Sequence, residues 1–329
     1  MQRREFVSGL VIAAAAAPLA ARAQPGERMR RVGILFSQAE SDPEQLARRE
    51  GLREGLARLG WSDGRNVQID YRYAGGQDRF VPLAKEMVAL QPDLIFVQST
   101  GFVAAVAQAT RTIPVVFTNV SDPIGSGFVT GLSRPGGNLT GLMLFEAGIA
   151  GKWLGMLKEI SPRLRRAALM ADPRTTPFDY FFRQAEAAAA SLATELTASR
   201  VGSPAEIEKA IESMARGADS SVFIAPGSTM LRNRRLIIEL AARHRVPIVY
   251  PERIYAADGG LMSYGIADHV EPFRQAASYL DRILRGERPA DLPVQGPTKY
   301  STVLNLRTAK ALGLSVPPGL LVAADEMIE

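Results

Sequence analysis

Hydroxyl, amide and acid side chains collect directly after the predicted strands in the first half of this 329-residue chain. Open α/β sheets bind their ligands at the carboxyl ends of their strands, so these positions are the first candidates for a binding site. The candidates are Ser37, Gln38, Ser99, Thr100, Asn119, Ser121 and Asp122. We expect them to line one ligand site.

Ser99 and Thr100 stand where a predicted strand turns into a helix that starts near Gly101. Their hydroxyls and the free backbone N–H groups of the first helical turn predict an anion site, for instance for a carboxylate. A second interpretation is that one of the two simply caps the helix, and both can hold at once. For Asp122, which precedes Pro123, the alternative is a turn aspartate that bonds its own backbone.

The second half repeats this arrangement with a different set of side chains. The candidates after its strands are Asp172, Ser228, Thr229, Tyr250, Glu252 and Tyr264. The tyrosines can stack on an aromatic or apolar ligand, and Asp172 or Glu252 can take an amine. Ordinary core packing is the alternative for either tyrosine, and a helix N-terminal position is the alternative for Glu252.

Residues for catalysis and metal binding are few. The chain has no cysteine and two histidines, His244 and His269, which leaves no thiol nucleophile and no plausible zinc site. Neither a Gly-x-Ser-x-Gly elbow nor a phosphate loop ending in Gly-Lys-Ser/Thr occurs. We therefore expect no enzyme activity, no metal and no cofactor.

The charge pattern gives no sign of a nucleic-acid partner. The formal net charge is +5, and part of it lies in the first residues. The basic clusters near Arg163 and Arg232 are not interleaved with aromatic residues, which favours solvated helix faces over a nucleic-acid surface.

Strands and helices alternate along the chain, which predicts an α/β fold with two doubly wound, Rossmann-like lobes and a cleft between them. Residues 30–143 form the predicted first lobe and residues 144–265 the second. Residues from about 266 to 294 are assigned to the first lobe and those from about 295 to 329 to the second. Periodicity alone does not fix the lobe of these last 65 or so residues.

The first 23 residues have the composition of an export signal. Arg3-Arg4 precede an alanine-rich apolar run, and Ala21-Arg22-Ala23 suits cleavage after Ala23. The arginine pair resembles the twin-arginine export pattern, although Gln2 replaces the usual Ser or Thr. This predicts a periplasmic protein. Without a cysteine it cannot carry a lipid anchor of the lipoprotein type, so it should not be membrane-anchored after cleavage.

Six segments closely resemble the signature of a group of ABC-transporter solute-binding proteins that includes tryptophan- and other aromatic-amino-acid-binding members. They are Thr112–Phe117, Ser121–Gly127, Leu132–Gly141, Ser263–Gly265, Arg274–Ala277 and Leu304–Leu314. The resemblance covers nearly the whole mature chain. It implies a type I periplasmic-binding-protein architecture, a small-molecule ligand trapped between the lobes, a membrane permease as partner and a monomer. Amino-acid-binding relatives tend to have Asp-Asn where this chain has Gly227-Ser228, so the resemblance does not settle that the ligand is an amino acid.

The sequence favours a solute-binding protein for an amino acid, small carboxylate or aromatic compound over two other functions. An exported hydrolase acting on a small ester or amide needs a nucleophile activated by a base, and the base is missing. The sensor domain of a transcription repressor shares the lobes but should begin with a helix-turn-helix instead of a signal. The solute-binding function fits every feature of the sequence.

Overall fold

The computed structural model describes residues 28–146 and 148–329, so the predicted export signal lies outside the described residues. Within them, strands form two sheets. The strands are β1 (Arg30–Phe36), β2 (Val67–Tyr73), β3 (Leu94–Gln98), β4 (Val115–Val120), β5 (Leu139–Met143), β6 (Arg166–Ala171), β7 (Glu195–Arg200), β8 (Ser220–Ile224), β9 (Ile248–Tyr250), β10 (Met262–Ile266), β11 (Tyr300–Asn305) and β12 (Glu326–Ile328).

Helices cover these sheets. They are α1 (Pro43–Arg58), α2 (Phe80–Ala89), α3 (Thr100–Ala109), α4 (Ile149–Ile160), α5 (Phe178–Ser191), α6 (Pro204–Ala215), α7 (Ser228–Arg232), α8 (Arg234–His244), α9 (Arg253–Ala257), α10 (Glu271–Leu284), α11 (Leu306–Ala311) and α12 (Pro318–Ala323). No helix in the described part of the chain is long and apolar enough to cross a membrane.

The first sheet has the order β2-β1-β3-β4-β5, and all its strands are parallel. Every residue of β3 is buried, as expected for a strand covered on both faces. Helices α1 and α10 pack on one face, and α2 and α3 pack on the other. The α1 helix starts where its sequence predicts, because Asp42 accepts a hydrogen bond from the Gln45 N–H (2.8 Å) and Pro43 occupies the first turn.

The second sheet has the order β12-β11-β10-β9-β8-β6-β7. Its neighbouring strands pair in parallel except β10 and β11, so β11 and β12 run opposite to the rest of the sheet. The two parallel-rich sheets confirm the predicted pair of α/β lobes.

The chain passes between the sheets three times within the described residues. It leaves the first sheet after β5, returns between β10 and α10, and leaves again through residues 292–299 before β11. Two of these crossings are held side by side, because the Met143 N–H donates to the Gln295 carbonyl (2.7 Å) and the Gln295 N–H donates to the Gly141 carbonyl (3.1 Å). This paired segment has the form of a hinge.

The structure differs from the sequence prediction in the later elements. The apolar spacing over residues 230–244 predicts one helix, whereas the structure has two, α7 and α8, separated at Asn233. Three short elements, α9, α12 and β12, were not predicted at all. Each spans three to six residues, which is too short for hydrophobic periodicity to show.

Candidate functional site

A cavity of about 370 Å³ lies between the two lobes. Eight of the thirteen residues predicted from the sequence line it. They are Ser37, Gln38, Ser99, Thr100, Asn119 and Ser121 from the first lobe and Ser228 and Glu252 from the second. The volume falls in the range of small-molecule binding sites.

Ser99 and Thr100 form the part of the first-lobe wall at the start of α3. Ser99 occupies the N-cap position, but its side chain makes no capping hydrogen bond, and its Oγ is buried without a partner among the described residues. The Thr100 Oγ1 accepts a long bond from the Ser121 N–H (3.4 Å). A helix N-terminus with a free hydroxyl at its cap is suited to hold an anion.

The backbone at this wall is strained. Ser99 has φ +82° and Asn119 has φ +57°, a left-handed region that residues other than glycine rarely adopt. Ser99 directly follows β3, and Asn119 is the penultimate residue of the neighbouring strand β4, at the same edge of the sheet. Strain of this kind clusters at ligand-binding sites, where it fixes the direction of polar groups.

Arg174 forms the facing wall in the second lobe, and Asp172 holds it in place. The Arg174 Nε and Nη2 donate to the two carboxylate oxygens of Asp172 (3.0 and 2.9 Å), and the Thr229 Oγ1 donates to the same carboxylate (2.7 Å). Burial alone raises the pKa of Asp172, but the hydrogen bonds from Arg174 and Thr229 outweigh it and lower this pKa below its ordinary value. Asp172 therefore stays ionised and orients the arginine.

Gly227 gives the cavity its shape on the second-lobe side. A Cβ at this residue would lie 2.3 Å from the Thr176 Oγ1 and 2.8 Å from the Thr175 Oγ1. The Thr176 Oγ1 is itself fixed, because it donates to the Pro226 carbonyl (2.6 Å). No side chain fits at Gly227 without a shift of these threonines.

Five predicted residues do not line the cavity. Asp172 and Thr229 are 1% and 4% exposed and act on the cavity through Arg174. Asp122 accepts a bond from the Gly125 N–H (2.8 Å), which is the turn geometry of the alternative interpretation.

The two predicted tyrosines complete this group of five. Tyr250 is buried and stacks on Tyr255 at 4.9 Å, and burial raises its pKa. Tyr264 stacks on Tyr300 at 5.3 Å. Burial raises the pKa of Tyr264, and that of Tyr300 to about 12. Tyr250 is therefore packed as the core alternative describes, whereas Tyr264 is half-buried, packs against the core of the second lobe and does not line the cavity.

Sequence reasoning missed several residues that line the cavity. They are Arg48, Phe80, Gln98, Phe128, Arg174, Thr175, Thr176, Arg232 and His269. Gln98 and Arg174 lie within three residues of a strand end, so the rule that found Ser99 and Asp172 also reaches them. Arg48 lies in the second turn of α1 and His269 precedes α10, where no local signal in the sequence marks them.

The site has the chemistry of binding. It combines hydroxyls at a helix start, cationic side chains and the aromatic rings of Phe80 and Phe128. Among the described residues, no group of three or more His, Cys, Asp or Glu side chains is arranged to hold a metal ion.

Known proteins resemble this chain in sequence and in fold. A relative from Clostridioides difficile strain R20291, the "Tyrosine-binding protein", is 24% identical over 289 residues, which cover 88% of this chain and 82% of the relative. A crystal structure of a conserved domain protein from Vibrio cholerae O1 biovar El Tor superposes with a TM-score of 0.81 at 27% identity, covering 91% of this chain and 100% of that one.

A Streptococcus pneumoniae domain solved in complex with L-Trp also has a TM-score of 0.81, at 24% identity, with 91% of this chain and 99% of that one covered. These neighbours confirm the predicted type I periplasmic-binding-protein architecture. The sequence model of the family described as ABC transporter substrate binding protein matches residues 33–328. This chain therefore belongs to the ABC transporter substrate binding protein family.

Proposed function

We propose that this protein captures a small carboxylate-bearing ligand between its two lobes and delivers it to the permease of an ABC transporter. One observation carries the proposal: the cavity is shared by both lobes, with the unpartnered Ser99 hydroxyl at the start of α3 on one side and Arg174 on the other. A carboxylate at the α3 N-terminus satisfies that hydroxyl and the free N–H groups of the first helical turn.

Closure of the lobes is the second part of the proposal. Gln77 of the first lobe donates from its Nε2 to the Arg174 carbonyl of the second (3.4 Å), so the lobes already touch at the rim of the cavity. A ligand that contacts both walls binds the closed state better than the open state and shifts the population toward it. The closed state is then what the permease recognises.

An amino acid is one candidate ligand. The relative named for tyrosine binding and the neighbour solved with L-Trp support it, as do the rings of Phe80 and Phe128 in the cavity wall. Glu252 is the carboxylate of the described lining that can pair with an α-amino group. A carboxylate at residue 227 is not an option, because Thr175 and Thr176 leave no room for a side chain. Small carboxylates without an amine are the other candidates.

The remaining parts of the proposal concern location and form. The sequence of the first 23 residues supports export through the twin-arginine route and cleavage after Ala23. The family supports a periplasmic, unanchored monomer. We also propose that residues 30–143 with about 266–294 move as one lobe, and that residues 144–265 with about 295–329 move as the other.

An exported hydrolase is disfavoured. His269 lines the cavity, but no side-chain hydrogen bond among the described residues joins it to a serine or threonine hydroxyl. A nucleophile of that kind needs such a base. The family assignment points to binding as well.

A thermal-shift panel on the mature protein tests the proposed function. Suitable probes are L-tyrosine, L-tryptophan, hexanoate, benzoate, adipate and terephthalate. A compound present at one hundred times its Kd adds about 2.7 kcal/mol to the free energy of unfolding. If no probe raises the melting temperature and the protein turns over an ester or amide, the hydrolase replaces the binding protein.

A further inference from the structure

Four buried polar side chains beside the cavity each carry at least one atom that lacks a hydrogen-bond partner among the described residues. Gln45 and Thr118 are 0% exposed, Gln98 is 3% exposed and Arg48 is 7% exposed. The atoms without partners are both amide atoms of Gln45, the Arg48 Nε, the Gln98 Oε1 and the Thr118 Oγ1. Buried polar groups in native proteins are almost always paired, so such a cluster indicates a bound partner.

Helix α1 brings two of the four to the carboxyl edge of the first sheet. Its inward-facing stripe consists of Gln45, Arg48, Leu52 and Leu56, at helical spacing. The stripe is apolar where α1 covers the body of the sheet and polar at the end nearest the cavity. Core packing explains the leucines but not Gln45 and Arg48.

The sheet itself brings the other two. Gln98 and Thr118 are paired in register across β3 and β4, and strand alternation puts them on the face that also carries Phe96. Phe96 contacts Phe273 of α10 with the ring centroids 6.0 Å apart. The Arg48 guanidinium lies over that same Phe273 ring, 5.9 Å from its centroid. The four polar side chains therefore lie in one layer.

The chemistry of this cluster suits an anion. The Arg48 Nη2 donates to Glu44 (2.8 Å), which leaves the other donors of the guanidinium unused. The amide Nε2 groups of Gln45 and Gln98 and the Thr118 hydroxyl are further donors, whereas the unpartnered Oε1 atoms of the two glutamines are acceptors and take no part in binding an anion. A guanidinium with neighbouring N–H and O–H donors is a typical binding site for a carboxylate. Arg48 and Gln98 line the cavity, so a ligand in the cavity reaches them.

We propose that Arg48 and Gln98, backed by Gln45 and Thr118, form a second anion subsite, and that the ligand is a compound with two acidic groups. One carboxylate lies at Ser99 and Thr100 and the other at Arg48. This inference rests on the proposed binding function and specifies its ligand class. The charges around the cavity agree with it. Of the three arginines in the described lining, Arg174 is already paired with Asp172, but Arg48 keeps donors beyond its bond to Glu44, and Arg232 forms no ion pair among the described residues.

Calorimetric titration with matched probes tests the subsite. Adipate is compared with hexanoate, and terephthalate with benzoate, because each pair differs in one carboxylate. A dicarboxylate should bind the wild-type protein about ten- to a hundredfold more tightly than its monocarboxylate partner. Arg48→Met should abolish that difference while the affinity for the monocarboxylate stays the same.

Two further variants keep the test sharp. Gln98→Leu should also weaken dicarboxylate binding selectively. Arg282→Met is the matched control, because Arg282 pairs with Glu287 on the exposed face of α10, and it should leave every affinity unchanged. Arg48→Met also removes the bond to Glu44 and the contact with Phe273, so its melting temperature does not test the subsite. A selective loss of dicarboxylate affinity, with the affinity for hexanoate and benzoate unchanged, distinguishes a ligand contact from a merely structural Arg48.

Three outcomes overturn the inference: equal affinity within each pair, an equal loss for both members of a pair in Arg48→Met, or no binding of either dicarboxylate at millimolar concentration. If L-tyrosine or L-tryptophan then binds, the proposed function stands and only the second subsite is lost. If no probe of any class binds, both fail.

Discussion

Replacement of Ser99 by alanine separates an anion site from a helix cap. The Ser99 Oγ is buried and has no hydrogen-bond partner in the described part of the chain, so Ser99→Ala removes none of the hydrogen bonds found there in the unliganded protein. Alanine keeps the Cβ, and the strain at φ +82° stays the same. We expect the free energy of unfolding to be unchanged or to rise by up to about 1 kcal/mol.

Ligand binding should respond in the opposite direction. A hydrogen bond to a charged group contributes about 1.5 to 3 kcal/mol, so Ser99→Ala should raise Kd about ten- to a hundredfold. The measurements are a urea melt of the unliganded protein and a calorimetric titration with the tightest-binding compound of the probe panel.

Ser203 provides the matched control. It is the N-cap of α6, and its hydroxyl does accept a bond from the Glu206 N–H (3.4 Å). Ser203→Ala should therefore lose about 1 kcal/mol of stability and keep its affinity. If Ser99→Ala behaves like Ser203→Ala, with stability lost and affinity intact, the anion site at α3 is refuted.

Three other predictions follow from the site and from the sequence before it. Asp172→Asn should lower the free energy of unfolding at neutral pH by about 1 to 3 kcal/mol and weaken ligand binding, because Arg174 loses its orienting carboxylate. The folded-state pKa of Asp172 is lowered, so the wild type loses this contribution as the pH falls below about 4, and acid melts of the two proteins should converge there. Gly227→Ala should lower the free energy of unfolding by about 1 to 3 kcal/mol and reduce ligand affinity. Gly155→Ala in helix α4, where no atom of the described residues lies within 4 Å of the new Cβ, should raise the free energy of unfolding by about 0.5 to 1 kcal/mol. Denaturant melts and calorimetric titrations measure both effects. Replacement of Arg3-Arg4 by two lysines should leave precursor in the cytoplasm on cell fractionation, and normal periplasmic levels would indicate the general secretory route instead.

Much of the fold was predictable because its signals are local. Continuous apolar runs such as residues 94–97 predict buried parallel strands, and the residues between such runs show helical spacing. The strand-end rule led to Ser99, Thr100 and Ser121 for the same reason: a parallel sheet brings the carboxyl ends of its strands to one edge, whatever covers its faces. The antiparallel β11 and the short β12 were beyond this reasoning, because their pairing depends on partners that are distant in the sequence.

The sequence by itself determined the alternation of strands and helices, the two lobes and the strand-end position of the polar residues, since each depends on neighbours within about ten residues. Only the tertiary structure decided which of those residues reach the cavity. Asp172 turns away to hold Arg174, and Tyr250 packs on Tyr255, although both follow or end strands as the lining residues do. Arg48 enters the cavity from the second turn of α1 because the helix packs with that face toward the sheet. The direction of a side chain is set by the elements packed around it, and those contacts join residues that are far apart in the sequence.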